Sequence, residues 1–165
     1  MTQRSTPSSP PKSPKKPSGS TTSWTIPQPT DVLFYVYLWA READAGRDEG
    51  SKERPVVVVL ATQPVGTRAR VTVAPVTTKA PLPGDAAIEM PAPVRRQLGL
   101  GDDRCWISAS ETNSFLWPGP DLRPVRREGD GLPYYGKVPG DLLRRVREAY
   151  VRIGAAKLRV TPRSE

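Results

Sequence analysis

The residues best placed for chemistry lie in the segment 52–60, which joins three charged side chains to an apolar run. Residues 56–60 form an unbroken β-branched and aliphatic run, which is typical of a strand with both faces buried. Pro55 suits the first position of that strand because it has no N–H to donate to a neighbouring strand, and it biases Arg54 towards extended geometry. Arg54 is therefore predicted to lie at the mouth of a rigid central strand, where it could bind an anion. The alternative is a solvated charge that keeps the apolar strand from aggregating.

The residue types that the chain lacks narrow the chemistry further. The sequence holds no histidine and one cysteine, Cys105. The absence of histidine excludes His-based acid–base pairs, Ser-His-Asp triads and most zinc sites. A single cysteine cannot form an intrachain disulfide, and the strand-like surroundings of Cys105 predict a small core residue. We therefore expect a site without a metal ion or other cofactor.

Charge and proline content divide the chain into two parts. Residues 1–23 are rich in proline and serine and carry basic residues but no acid, which predicts a disordered basic tail that is not a secretory signal. Residues 24–165 are predicted to form a single domain. The net charge of +8 and the pI of about 10.0 indicate a polyanion partner, either nucleic acid or an acidic protein. No apolar run approaches the roughly 20 residues of a membrane helix, so we expect a cytoplasmic protein with no membrane partner.

The apolar pattern predicts a succession of short strands. The expected strands cover residues 31–39, 56–60, 70–76, 86–90 and 105–110, with a last short strand at Tyr134 and Tyr135. A polar loop is expected over 41–52, turns over 63–67 and 81–85, and a Pro- and Gly-rich loop over 115–123. Residues 93–98 are expected to form one or two helical turns that end at Gly99. Closely spaced strands of this kind favour a mainly β fold, either a small barrel or an open β-roll.

The clearest helical pattern covers residues 141–153, with Asp141 as the expected N-cap and Gly154 as the residue that ends the helix. This helix is predicted to be the last element of the fold. Its apolar face comprises Leu142, Val146, Ala149, Tyr150 and Ile153. The opposite face is basic, and it is either simply solvated or a footprint for a nucleic acid; it carries Arg144, Arg145, Arg147 and Arg152.

Several short motifs occur in a characteristic order. An aromatic strand comes first, followed by a charged, Gly-containing loop, the dipeptide R-P and an apolar strand. The next strand ends in A-P-V-T-T, and a later strand leads into S-E-T-N. An amphipathic helix then follows a Pro-Gly pair. Over roughly residues 31–153 this order resembles the MazF/PemK/Kid family of toxin–antitoxin toxins. The chain departs from the family pattern in several places. The segment G-S-K-E-R-P is two residues short, Thr30 replaces the glycine of the family's Gly-Asp opening, and Ala109 stands where some members have a second arginine. The segment W-P-G-P-D-L-R-P and the tail over 1–23 are also outside the usual pattern.

The resemblance implies a small SH3-like barrel of the CcdB/MazF type, with a C-terminal α-helix and a short extra helix, that forms a homodimer. It implies a metal-independent endoribonuclease that cleaves single-stranded RNA, chiefly mRNA, and that is bound by a cognate antitoxin protein. By their positions in the motifs, the expected catalytic residues are Arg54, Thr77 and Glu111. The expected substrate-binding residues are Gly50, Ser51, Lys52, Glu53, Thr78, Lys79 and Trp117.

An enzyme of this kind cuts RNA by attack of the 2′-hydroxyl on the adjacent phosphorus, which requires a base and positive charge on the phosphorane. Without histidine the base must be a carboxylate, for which Glu111 is the first candidate and Glu53 the second. Arg54 would stabilise the phosphorane with its guanidinium fork, and Thr77 would donate its hydroxyl to a phosphate oxygen. Lys79 could add positive charge nearby. Three tryptophans could stack on unpaired bases, and Trp117 is expected to be the most exposed of them; the others are Trp39 and Trp106.

Each of these roles has a structural alternative. Glu111 could serve only as an ion-pair partner of Arg54, Thr77 could be an ordinary residue at a strand end, and the tryptophans could belong to the core or to a dimer interface. The chain could also be a non-catalytic SH3-like module that binds nucleic acid or a protein, with the basic tail supplying affinity. Inhibition of a protein target is a third function that the sequence neither favours nor excludes.

Overall fold

The structure of the protein is a computed structural model that describes residues 24–65, 68–126 and 129–163. The tail predicted over 1–23 lies outside the described residues. Within them the fold is mainly β, with eight strands and three short helices. In chain order they are β1 (Asp31–Val36), α1 (Ala40–Asp44), β2 (Glu53–Val65), β3 (Arg68–Thr77), β4 (Ala87–Glu89), α2 (Ala92–Leu98), β5 (Trp106–Ser108), β6 (Glu111–Leu116), β7 (Tyr134–Lys137), α3 (Gly140–Ile153) and β8 (Arg159–Pro162).

The strands form one curled, largely antiparallel sheet that resembles half of a barrel. Its order is β4-β5-β3-β2-β1-β7, and the long hairpin of β2 and β3 forms its centre. One edge of β3 has two partners: its last residues pair with β5, where Val76 lies opposite Ile107, and its earlier residues pair with β6, where Val73 lies opposite Asn113. The change of partner brings the start of β2 and the end of β3 close to the start of β6. Beyond β6, the sheet is extended by β8, which runs parallel to it.

The side chains of β2 alternate between two hydrophobic clusters, one on each face of the sheet. Val57 and Val59 belong to the first cluster, which α2 and α3 cover. Val56 and Val58 belong to the second cluster, which is rich in aromatic residues. The prediction of a strand buried on both faces is therefore confirmed for residues 56–59. It is wrong at Leu60, which is 48% exposed, because the pairing of β2 with β3 shifts between Val58 and Leu60.

Several predicted boundaries differ from the structure. β1 ends at Val36, and α1 occupies the first part of the segment predicted to be a polar loop over 41–52. The Glu42 carboxylate stabilises the start of this short helix, since it accepts a hydrogen bond from the Trp39 amide (3.1 Å), which the helix itself leaves free. β2 continues to Val65, so the turn predicted over 63–67 is wrong as far as residue 65, and residues 66–67 lie outside the described residues.

The C-terminal region is helical where predicted, but it does not end with the helix. α3 buries Leu142, Val146 and Ala149 as expected, and it ends at Gly154. Its N-cap is Pro139, so the prediction for Asp141 is wrong. The prediction that α3 is the last element is wrong, because β8 follows it. The loop predicted over 115–123 is wrong at its beginning, which belongs to β6.

Two further predictions about the core and the helices are confirmed. α2 ends at Gly99, whose φ of 73° lies in the left-handed region that favours glycine. Cys105 is 3% exposed within the first cluster. No helix in the described part of the chain is long and apolar enough to cross a membrane.

Candidate functional site

The three residues predicted to be catalytic line one cleft of about 440 Å³ at the end of the β2–β3 hairpin. The hairpin register explains the position of two of them. Val56 pairs with Pro75, and continuing this antiparallel register places Arg54 opposite Thr77. Because strand side chains alternate, both lie on the face of the second cluster. Glu111 joins them from the start of β6, and Lys52, Thr78 and Lys79 also line the cleft as predicted.

Arg54 is half-buried and only lightly held by the protein. Its Nη1 donates a long hydrogen bond of 3.4 Å to the Val76 carbonyl. Its Nε is buried and has no hydrogen-bond partner among the described residues. The guanidinium carbon lies 5.1 Å from the centre of the Trp39 ring, within cation–π distance. Burial lowers the pKa of Arg54, but an arginine stays charged at neutral pH. The cleft thus contains a cation whose hydrogen-bond donors are partly unused.

Glu111 is held more firmly than Arg54. Its Oε1 accepts hydrogen bonds from the Tyr37 hydroxyl at 3.1 Å and from the Ala40 amide at 2.9 Å. Burial raises the pKa of Glu111, and these two donors together with the charges of Arg41 and Arg159 only partly offset that effect. A half-buried carboxylate with a raised pKa is suited to take up a proton, as a general base must.

The structure contradicts the alternative in which Glu111 and Arg54 form a simple ion pair. Among the described residues, no nitrogen of Arg54 lies within 4.0 Å of a Glu111 oxygen, and none of the ion pairs there includes either residue. Both charges therefore face the cleft without neutralising each other directly. This arrangement leaves the carboxylate free to accept a proton and the guanidinium free to bind an anion.

Thr77 ends β3 and begins the turn that forms one rim of the cleft. Its Oγ1 accepts a hydrogen bond from the Lys79 amide at 3.1 Å. A hydroxyl that accepts one hydrogen bond can still donate its own hydrogen to another group. Thr78 and Lys79 are exposed at the rim. The turn therefore offers a hydroxyl donor and an ammonium group to an anionic ligand.

Trp39 and Trp106 both line the cleft, and Trp39 is the more exposed of the two, since Trp106 is buried. Trp39 is half-buried and has the guanidinium carbons of Arg41 and Arg54 each 5.1 Å from its ring centre. The prediction that Trp117 is the most exposed tryptophan is wrong, since Trp117 is 3% exposed in the second cluster and does not line the cleft. It continues the inward-facing alternation of β6 after Phe115, although the Pro-Gly pair that follows it indicated a loop.

The remaining predicted binding residues line a neighbouring cleft of about 670 Å³. Ser51 and Glu53 are exposed there, and Lys52 belongs to the lining of both clefts. Gly50 also lines it, but its residue type has a structural reason: a Cβ at this position would collide with the carbonyl oxygen of Tyr37. Gly50 therefore lets the loop before β2 pack against the end of the segment that carries Trp39.

Two buried polar residues that shape the cleft were not predicted. The Asn113 side chain donates to the Leu38 carbonyl at 2.8 Å and accepts from the Leu38 amide at 2.9 Å, which fixes the backbone directly before Trp39. Tyr37, which donates to Glu111, was read only as part of an aromatic strand. The signal available in the sequence was the polar Asn113 in a strand that is otherwise buried, because a buried amide side chain needs partners.

The clusters of acidic and thiol side chains give no further site. Within residues 24–65, 68–126 and 129–163, no three His, Cys, Asp or Glu side chains gather in a way that could hold a metal ion.

The sequence matches no protein-family model, and it matches no curated protein. No relative thus indicates what the cleft does, and a fold alone does not determine a function. The residues that line the cleft are the basis for its chemistry.

Proposed function

We propose that the cleft cleaves single-stranded RNA without a metal ion, by attack of a ribose 2′-hydroxyl on the adjacent phosphorus. One observation carries the proposal: Arg54, Thr77 and Glu111, which come from three different strands, line the same cleft of about 440 Å³. A base, a cation beside the phosphate and a hydroxyl donor are groups that serve this reaction.

Glu111 acts as the base. Its Oε1 is occupied by Tyr37 and Ala40, so its other carboxylate oxygen takes the proton of the 2′-hydroxyl. The 2′-oxygen then forms a bond to phosphorus, and the bond from phosphorus to the 5′-oxygen of the next nucleotide breaks. The leaving oxygen takes up a proton from solvent. The products are a 2′,3′-cyclic phosphate and a 5′-hydroxyl.

Arg54 and Thr77 stabilise the negative charge that builds up on the phosphorane. The hydrogen bond from Nη1 of Arg54 to the Val76 carbonyl is long, at 3.4 Å, so the terminal nitrogens of the guanidinium can bind two phosphate oxygens. Because Arg54 is half-buried, its charge is screened less than that of a surface arginine. Thr77 adds a neutral donor from the opposite strand. Removing one such donor from an active site typically costs about 10²–10³ in rate.

The two adjoining clefts offer a path for a strand longer than one nucleotide. Lys52 lines both of them, so a phosphate bound near it would connect a nucleotide at Arg54 with the next one beside Ser51 and Glu53. Trp39 offers an aromatic surface for an unpaired base. Single-stranded RNA is the proposed substrate because its bases can leave the stack to enter such clefts.

The same proposal includes the finer fold and the partners that the motif order implies. It describes the protein as an SH3-like barrel of the MazF/PemK type that forms a homodimer, acts on RNA in the cytoplasm and is inhibited by an antitoxin protein. The curled antiparallel sheet supports this assignment, as does the position of the R-P and T-T motifs on either side of one cleft.

The test is incubation of the purified protein with a long single-stranded RNA in EDTA, followed by end-group analysis. Wild type is expected to give 5′-hydroxyl ends at a limited set of sites, and Arg54→Ala and Glu111→Gln are each expected to lose at least about 10²-fold in rate. Arg96→Ala is the control, because Arg96 is exposed on α2 and does not line the cleft. Products with 5′-phosphate ends would refute the mechanism.

Intact RNA with a folded wild-type protein would instead support a non-catalytic binding module. In that case RNA affinity should fall steeply with salt, and it should fall further when residues 1–23 are removed.

A further inference from the structure

The C-terminal strand lies directly beside the strand that carries Glu111. β8 pairs in parallel with β6, and Arg159 lies opposite Glu111 in the register. The Arg159 amide donates to the Ser110 carbonyl at 3.3 Å. The last strand of the fold thus begins at the position of the proposed general base.

The side chain of Arg159 connects this strand to α1. Its guanidinium donates to both carboxylate oxygens of Asp44, at 2.7 Å from Nη2 and 3.2 Å from Nη1. Asp44 is the last residue of α1, and Ala40, the first residue of α1, donates its amide to Glu111 Oε1. The contacts close a ring that runs from Glu111 through α1 and Arg159 back to the strand of Glu111.

β8 also fixes the chain that follows α1. Arg163 is 5% exposed, and its Nη1 donates to the Asp48 carbonyl at 2.8 Å while its Nη2 donates to Asp121 at 2.8 Å. The C-terminal segment thus holds the end of α1 at Asp44, through Arg159, and the connection from α1 to β2 at Asp48, through Arg163. This connection leads directly to Lys52 and Arg54 in the cleft.

We propose that Asp44 and Arg159 are positioning residues that hold α1 against Glu111. The inference rests on the proposed function, since it assigns these residues to the same cleft. The pair keeps the Ala40 amide on the Glu111 carboxylate, and it keeps Trp39 and Arg41, which flank that amide in sequence, at the wall of the cleft. Neither Asp44 nor Arg159 touches the substrate.

A purely stabilising role would look different. The side chains of Arg159 and Asp44 are 46% and 62% exposed, and exposed ion pairs contribute little to global stability. Loss of the pair should therefore leave the overall fold intact while it loosens α1. Small displacements of groups in an active site lower the rate far more than they lower the stability.

The decisive variant is Asp44→Ala, with Asp48→Ala as the matched control. Both aspartates are exposed, with Asp44 at the end of α1 and Asp48 in the connection that follows it, and both substitutions raise the net charge by one. The Asp48 carboxylate takes no part in a hydrogen bond or ion pair of the described residues, and its backbone carbonyl stays available to Arg163. Asp44→Glu keeps a carboxylate in reach of Arg159 and serves as the rescue.

We expect Asp44→Ala to lower kcat for RNA cleavage about tenfold, with the unfolding midpoint unchanged, and Asp44→Glu to restore most of it. The loss of a carboxylate from a cationic surface strengthens RNA binding through charge alone, so both alanine variants should show an equal, small fall in KM. A fall of kcat in Asp44→Ala alone separates positioning from charge.

The pH dependence gives a second readout. The charged and titratable groups that face Glu111 are Tyr37, Arg41 on α1 and Arg159 on β8. If α1 moves away in Asp44→Ala, Glu111 loses the Ala40 amide and part of the Arg41 charge, both of which lower its pKa. The acid limb of the rate profile should therefore move to higher pH in Asp44→Ala and stay in place in Asp48→Ala.

Hydrogen–deuterium exchange separates this inference from the proposed function. The amides of residues 40–46 should exchange faster in Asp44→Ala than in wild type or Asp48→Ala, whether or not the protein cleaves RNA. Unchanged exchange in Asp44→Ala would overturn the inference. If the wild type cleaves RNA, faster exchange in Asp44→Ala with the wild-type kcat would overturn it too. A wild type that does not cleave RNA would refute the proposed function. Faster exchange in Asp44→Ala, but not in Asp48→Ala, would then still support the inference that Asp44 and Arg159 hold α1 against Glu111.

Discussion

Tyr37→Phe removes one of the two hydrogen bonds that hold the proposed base and leaves the aromatic packing in place. The Tyr37 hydroxyl donates to Glu111 Oε1 at 3.1 Å, and the ring is fully buried in the second cluster. Burial and the neighbouring Glu111 raise the pKa of Tyr37 far above its ordinary value, so the hydroxyl remains a donor at every pH of interest. Phenylalanine has the same shape and no donor.

The magnitude follows from the charge of the acceptor. A hydrogen bond to a charged group contributes about 1.5–3 kcal/mol. Because the Tyr37 hydroxyl stabilises the carboxylate form, its loss raises the pKa of Glu111 further above the ordinary value. On the acid limb the rate depends on the fraction of carboxylate, and about 1.4 kcal/mol corresponds to tenfold. The rate there should fall by roughly 10–100-fold, with a much smaller change at pH values where Glu111 is fully ionised.

The assay is the pH dependence of single-turnover RNA cleavage, together with chemical denaturation. The proposed base acts as a carboxylate, so the rate rises as pH passes upward through the pKa of Glu111. In Tyr37→Phe the acid limb should lie at higher pH than in wild type, and the free energy of unfolding at neutral pH should fall by about 1.5–3 kcal/mol.

Tyr35→Phe is the matched control. Tyr35 is equally buried, but its hydroxyl lies near Arg163 and Asp121 and does not donate to Glu111. Its removal should leave the rate profile in place. The reasoning is refuted if both variants show the same profile as wild type, or if the acid limb of Tyr37→Phe moves to lower pH.

Two further predictions concern the cleft rim and the C-terminal strand. Lys52→Ala should weaken RNA binding and reduce the slope of log affinity against log salt by about one. Lys157 lines neither cleft, so Lys157→Ala should change neither quantity. Equal slopes for wild type and both variants would contradict the role of Lys52. Arg163→Ala leaves Asp121 buried without its partner and should lower the free energy of unfolding by about 3–5 kcal/mol in chemical denaturation. Arg104→Ala, which breaks an exposed pair, should cost far less.

The strands that the sequence predicted well are those with strong local patterns. The run at 56–59 and the alternation of Val71 and Val73 both specify a strand whatever lies around them, and both are confirmed. The elements that were missed depend on distant partners. α1 has five residues and is tied by Asp44 to Arg159, and β8 pairs with β6 in parallel. Such short elements have little intrinsic stability, so local patterns could not predict them.

The candidate site divides in the same way. Arg54 and Thr77 were predicted from their positions in the motifs, and the hairpin register explains why they meet, because two adjacent antiparallel strands fix which residues are opposite each other. Glu111 came from motif order alone, and nothing local indicates that Tyr37 and the Ala40 amide would hold it. Trp117 shows the opposite error: the neighbouring Pro118 and Gly119 indicated an exposed loop, whereas tertiary packing buries the ring.

Glu111 is held firmly by the protein and Arg54 only loosely, and this difference indicates which of the two charged groups binds an anionic substrate. Glu111 is fixed by two good donors, as a base must be if its free oxygen is to meet a hydroxyl proton in one place. Arg54 has one long hydrogen bond and a buried Nε without a partner among the described residues. Because Nε has almost no accessible surface, an anion in the cleft would bind the terminal nitrogens of Arg54, whose hydrogen bond to the Val76 carbonyl is long. Arg54 therefore gains more from an anion in the cleft than from any contact that the described protein provides, whereas Glu111 gains nothing from one. An anion is the ligand that this pair of side chains favours, and its place is on the arginine side of the cleft.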